Sequence, residues 1–294
     1  HPSMNMSNKM IITDQDKGSL ASIIEILPSA QPFLCAFHRR QNITKKFGGG
    51  KGDMSATCSS VYNILVKCNS VASLDFMRAQ YEPNMPVNHR KYLNSVPAQQ
   101  QFPAIRCAMG DDICMHGHEA SSGSESMNNA NEEARNATAV DILNASLILL
   151  QKESERFEKG KQAAWKDTNH LTPRGMKEME EAFSQCNVSI YTAHKTENMH
   201  DFTFTVSKKA AADRIYTVVI PKQPGKHGSR FGSCTCGFPK KEGLPCEHMV
   251  FIVKVGNIPG LSKLEIMPYW YTTLQWRLQF PNDIVCKTIT LKSI

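Results

Sequence analysis

The chain has 294 residues, 41% of them hydrophobic, with a formal net charge of +7. That length allows two domains of ordinary size with packed cores, and the charge permits an acidic partner such as nucleic acid without demanding one. Apolar runs such as "LILL" at 147–150 and "MVFIV" at 249–253 fall far short of the roughly 20 residues of a membrane span, so a folded, soluble chain that crosses no bilayer is expected. The N-terminus "HPSMNMSNK" is polar, has no apolar h-region and begins with His, so it reads as neither a signal peptide nor a natural start.

"KMIITD" at 9–14 is a short β-branched run that stops on a polar residue, as a buried strand ending at Asp14 would. Leu20, Ile23, Ile24 and Leu27 then recur at helical spacing until Pro28, which cannot continue a helix. "QPFLCAFH" at 31–38 reads as a second buried strand, followed by the basic "RRQNITKK" and by "GGGKG". Strand, helix, strand implies a parallel pair. The basic run is read as a solvated helix face, or as a phosphate contact if the neighbourhood proves nuclease-like.

Residues 54–96 alternate short apolar stretches (Val61, Ile64, Leu65, Cys68, then Leu74, Phe76, Met77) with Pro83, Pro86 and Pro97, which predicts a small helical subdomain inserted in the fold. From about 121 a longer helix is expected, with Val140, Leu143, Leu147, Leu150 and Phe157 forming one buried stripe. Thr172-Pro173 predicts an N-cap and first-turn proline for a helix to about Cys186, with Met176, Met179 and Phe183 inward. From 187 the texture changes. "SIYTAHK", "DFTFTV" and "RIYTVVI" are three β-rich runs, an antiparallel meander leading into "CTCGFPKKEGLPCEH" at 234–248. "MVFIVKVG" then reads as a short helix, and "PYWYTTLQW" at 268–276 is an aromatic cluster that either packs against its neighbours or stacks on bases.

The segment 234–248 carries the strongest chemical signal. Ten cysteines are spread through the chain, and their tight cluster is C-x-C followed by C-x-H, a pattern that favours a metal in a reducing compartment over a disulfide framework. Zinc takes four thiolate or imidazole ligands in a tetrahedron at roughly 2.0 to 2.3 Å. Cys234 and Cys236 can face one point if the chain turns at Gly237, and Cys246 and His248 repeat that arrangement after Pro245. One structural zinc per chain follows. Three thiolates and one imidazole on Zn²⁺ leave a net negative charge, for which Lys240 and Lys241 are favourable neighbours. As buried hydrophobes the four residues would sit oddly in so polar a stretch, and a redox C-x-C would leave the second pair unexplained.

C-x-C-x9-C-x-H after strands and before a short helix resembles the SWIM zinc finger, and "EGLPCEH" is similar to its closing G-[IL]-P-C-x-H segment. In the front half, Asp14 at a strand end, a helix, and a strand leading to Cys35-x-x-His38 resemble the Mutator-like (MULE) transposase domain, an RNase H-like fold often joined to a SWIM finger. The resemblance implies that Asp14 is the second carboxylate of a D-D-E triad. It points to Glu125 in "HEASSGSESMNNANEEAR" as the third, with Gly123 departing from the family's Asn. Asp16 rivals Asp14, and Glu119, Glu132 and Glu133 rival Glu125; outside the resemblance Asp14 is equally a turn residue or helix cap. Such carboxylates hold two Mg²⁺ or Mn²⁺ ions roughly 3.5 to 4 Å apart for phosphoryl transfer. The family's first Asp lies on a strand before those present, so the chain as given is expected to be inactive in strand transfer.

The fold class expected is α+β. Residues 1–150 form a partial RNase H-like domain with a helical insertion at about 52–106, 151–186 a helical linker, 187–258 the SWIM-type finger with its strands, and 259–294 a tail. The function implied is the DNA-binding C-terminal part of a transposase, in the nucleus or elsewhere inside the cell, with strand transfer only in the full-length protein. The alternative is a non-enzymatic, zinc-dependent module for DNA or a protein partner. Eight basic residues against three acidic ones between 208 and 248 offer a surface for phosphate, or simply solubility.

Overall fold

A computed structural model describes residues 10–14, 22–23, 25–26, 31–47, 54–109, 138–197, 200–256 and 258–280. It is a mixed helix and sheet architecture divided into two compact units. One comprises residues 1–122 with 233–244, the other 123–232 with 245–294.

In the first unit, strands β1 (Met10–Thr13) and β2 (Gln31–Leu34) pair in parallel, with Met10 opposite Gln31 and Thr13 opposite Leu34. Of the helix expected over 17–27, only 22–23 and 25–26 are described, and both are helical. Strand β2 is shorter than expected. It ends at Leu34, the Cys35 N–H still donates to the Thr13 carbonyl at 2.6 Å, and helix α1 (Ala36–Phe47) begins at once. The basic stretch is therefore helical, but not wholly solvated: Arg39 is fully buried. Its Nη2 donates to the Tyr92 carbonyl at 2.8 Å, and its guanidinium lies 4.2 Å from the centre of the Tyr92 ring. Burial lowers the Arg39 pKa against the opposing pull of Tyr92.

The expected helical subdomain is present as α2 (Met54–Lys67), α3 (Val71–Tyr81), α4 (Val87–Leu93), α5 (Ala98–Gln101) and α6 (Pro103–Ala108). Cys58, Val61, Tyr62 and Leu65 sit at i, i+3, i+4 and i+7 of α2 and are all buried, with Leu74, Leu93 and Phe102 completing the core. Proline punctuates the path. Pro86 and Pro97 occupy the N-cap positions of α4 and α5, and Pro103 opens α6, where a missing N–H costs nothing. Among the described residues the front sheet holds β1 and β2, so the RNase H-like assignment of 1–150 rests on the resemblance.

In the second unit, α7 (Ala139–Lys166) starts at a capping box in which Thr138 and Asp141 exchange side-chain and backbone hydrogen bonds. The expected start near 121 lies outside the described residues. The expectation of a buried stripe along this helix needs correction. Val140, Leu143 and Leu150 are 66%, 62% and 57% exposed, whereas burial resumes further along, at Ala164, and Phe157 meets Phe280 with ring centres 5.0 Å apart. Helix α8 (Pro173–Gln185) is capped by Thr172, whose hydroxyl accepts from the Gly175 N–H at 3.1 Å, and buries Met179.

The meander is antiparallel as expected: β3 (Tyr191–Glu197), β4 (Asp201–Lys208) and β5 (Ala211–Pro221). Phe204 and Val206 face Val218 and Tyr216 across the β4–β5 register. With Ile220 they make one apolar face, and Phe204, Val206, Val218 and Ile220 are buried completely. These three strands lie in the order β3-β4-β5, and the two-residue strand β6 (Ser233–Cys234) opens the cysteine-rich segment. At the end of the cysteine-rich segment, α10 (Glu247–Lys254) buries Met249, Val250 and Ile252, and α11 (Thr273–Leu278) follows the aromatic cluster. That cluster packs on residues 226–231. Trp270 meets Phe231 edge-on at 5.6 Å, and the Lys226 ammonium lies 4.4 Å over the Tyr269 ring.

Candidate metal centre

The segment 234–248 turns twice, and both turns follow from its glycines. At Gly237 φ is +79°, a conformation that an L side chain rarely adopts. Its N–H donates to the Cys234 carbonyl at 3.0 Å, closing a turn that brings Cys236 back toward Cys234. The Cys236 N–H points at the Cys234 sulfur, 3.5 Å away. Next comes a short helix, α9 (Phe238–Glu242), with Pro239 in its first turn and Gly243 at φ +69° ending it. Pro245 then leads to Cys246, the N-cap of α10, with His248 in that helix's first turn.

These turns gather the four expected ligands. One donor atom from each of Cys234, Cys236, Cys246 and His248 lies within 4.8 Å of all the others. A tetrahedron with Zn–S bonds of about 2.3 Å has edges of roughly 3.8 Å, so four donors at this spacing can close on one ion with small side-chain adjustments. Cys234, Cys246 and His248 are buried and Cys236 half-buried. Three soft sulfurs and an imidazole, shielded from water, are a donor set that fits zinc.

The surroundings differ from expectation in one respect. Lys241 is only 2% exposed, and its ammonium donates to the Lys67 carbonyl at 3.3 Å and pairs with Glu242 at 3.3 Å. Lys67 is the last residue of α2, so this contact satisfies one of the carbonyls that a helix end leaves without an intrahelical partner. Lys241 is thus an internal tie and leaves the phosphate-facing surface proposed from the charge count.

His248 sits among aromatic rings that the spacing of the ligands did not reveal. Tyr216 stacks on the imidazole with centres 4.2 Å apart and planes at 28°, and Tyr191 meets it edge-on at 5.5 Å. The Tyr191 hydroxyl donates to the Glu247 carboxylate. Burial, then the hydrogen bond to and the charge of Glu247, push the Tyr191 pKa well above its ordinary value. The Cys186 thiol points at the Glu247 carbonyl from 3.7 Å, and burial raises its pKa, as it does for Cys58 and Cys68. Those three cysteines behave as packed thiols. The signal for Tyr216 was present in "RIYTVVI", where alternation puts it on the same face as Val218 and Ile220.

At the front of the chain, Asp14 is exposed at the carboxyl end of β1. Cys35 is buried at the equivalent end of β2, and His38 lies in the first turn of α1. The three residues therefore share the edge at which parallel sheets commonly bind ligands. Glu125 and its rivals Glu119, Glu132 and Glu133 lie outside the described residues, as does Asp16. Among the described residues, no helix is long and apolar enough to cross a membrane. No family model, no curated protein and no solved structure matches this chain.

Proposed function

We propose that this chain is the zinc-binding, DNA-binding C-terminal part of a Mutator-like transposase, with Mg²⁺- or Mn²⁺-dependent strand transfer belonging to the full-length protein. The observation that carries this reading is the convergence of Cys234, Cys236, Cys246 and His248 within 4.8 Å, at the spacing that resembles a SWIM finger. The position of Asp14 at the carboxyl end of a parallel strand supports the transposase part of it. In this reading the metal is structural. It fixes the turn after β6 and the start of α10, and the protein works in the nucleus on DNA.

The second reading is a non-enzymatic, zinc-dependent module for DNA or a protein partner. One observation favours it: three sulfurs and an imidazole, most of them buried, are a donor set suited to a structural ion.

The metal is tested directly. Elemental analysis of the purified chain is expected to give one zinc per molecule, and Cys246→Ala to lose it together with ordered structure around α10, because binding energy at a structural site is folding energy. Full zinc retention in Cys246→Ala would refute the ligand assignment.

A further inference from the structure

We propose that Tyr216 is a positioning residue for His248, holding the imidazole in its ligating orientation by face-to-face stacking before any metal arrives. The inference rests on the zinc reading of the cluster and concerns how its one nitrogen ligand is kept in place.

His248 differs from its three thiolate companions in needing a ring aimed as well as an atom placed. Its plane must contain the bond to the ion, so two side-chain torsions have to be fixed. The structure supplies two restraints on that plane. Tyr216, reaching from β5, covers the ring face at 4.2 Å and 28°. Tyr191, from β3, closes on it edge-on at 5.5 Å and 82°. Tyr191 is itself held, by its hydroxyl on Glu247 and by Phe251 at 5.3 Å, so the edge contact is anchored in the helix that carries His248.

Tyr216 sits on the same face of β5 as Val218 and Ile220 and opposite Val206. An aliphatic side chain would serve packing at that position equally well, as it does at those three. A flat ring is required only by the imidazole, since stacking fixes the orientation of a plane and aliphatic packing does not. Hydrogen-bonded partners that orient a metal-ligating histidine typically contribute about 10- to 100-fold to metal affinity, and a stacked ring restrains the same orientation.

The test is a cobalt titration of the full chain, read from the thiolate-to-metal charge-transfer and visible ligand-field bands. Tyr216→Leu is expected to weaken Co²⁺ binding about tenfold or more, within the span seen when the support of a metal-ligating histidine is removed. Tyr216→Phe keeps the ring and is expected to keep wild-type affinity. In a His248→Cys background, where a thiolate replaces the imidazole, Tyr216→Leu is expected to cost nothing further. Equal loss in both backgrounds would mean that Tyr216 only packs the sheet, and overturns the proposal. So does a Leu variant that binds like wild type, or a Phe variant as weak as Leu. If His248→Cys holds no cobalt, the difference between Phe and Leu decides alone. A wild-type chain that takes up neither cobalt nor zinc overturns the metal reading itself, which is a separate outcome seen before any variant is compared.

Discussion

At the scale of single residues, the site depends on backbone positions as much as on its ligands. A Cβ added to Gly237 would lie 1.8 Å from the Asn69 carbonyl oxygen, a distance no side chain can occupy. Gly256 has nearly the same φ, +68°, but nothing within 4 Å of the added atom. The pair separates two effects. Gly256→Ala is expected to cost about 1 to 2 kcal/mol, the penalty of left-handed backbone alone. Gly237→Ala carries that penalty plus the displacement of a turn between two ligands, so it should unfold at clearly lower denaturant and also lower the zinc content. Equal denaturation midpoints for the two variants would show that the chain relieves the clash by moving. Lys241 teaches a related lesson. Its sequence context, two lysines between cysteine pairs, suggests solvent or phosphate, but its ammonium is committed to the end of α2 and to Glu242.

At the scale of elements, the structure separates helices that a periodic pattern makes look alike. Both α2 and α7 carry apolar residues at helical spacing, yet the stripe of α2 is buried and Val140, Leu143 and Leu150 of α7 are exposed. Leu65→Ala in α2 is accordingly expected to cost about 2 to 5 kcal/mol, the usual range for a fully buried leucine. Leu143→Ala in α7 should stay within about 0.5 kcal/mol, as exposed positions do. Denaturant titration of the two variants checks the difference, and a large cost at Leu143 would mean that the helix face is covered in solution. The capping box of α7 offers a pH test. The Thr138 hydroxyl, and then its N–H, hold the Asp141 carboxyl below its ordinary value. A depressed carboxylate supports the folded helix at neutral pH, and that support is lost as pH falls through its folded pKa, below the ordinary value of about 3.9. Carbon NMR of the Asp141 carboxyl should therefore titrate below that value, and Thr138→Ala should bring it back up.

At the scale of the whole molecule, metal and DNA are the two variables. Removing metal with a chelator is expected to raise amide exchange in α10 and around 234–248, while α2 and α3, held by Leu65, Tyr62 and Leu74, stay protected. If the chain binds DNA, the logarithm of its affinity should fall with the logarithm of salt at about 0.9 per phosphate neutralised, and a flat response would remove DNA as the partner. The candidate metal cluster was legible in the sequence because two short spacings around a glycine and a proline fix local geometry, and local geometry is written in adjacent residues. The meander and the capped helix α8 were legible for the same reason, through period-two alternation in one and Thr172-Pro173 in the other. What no local pattern contained was the choice of neighbours. That Arg39 would be buried over Tyr92, that Lys241 would close the end of α2, that Leu143 would stay exposed, and that Tyr216 would stack on His248 depend on segments 25 or more residues apart meeting, or failing to meet, in space. Periodicity states which face of an element is apolar; only tertiary packing decides what that face touches, because burial is a property of pairs of elements and not of one.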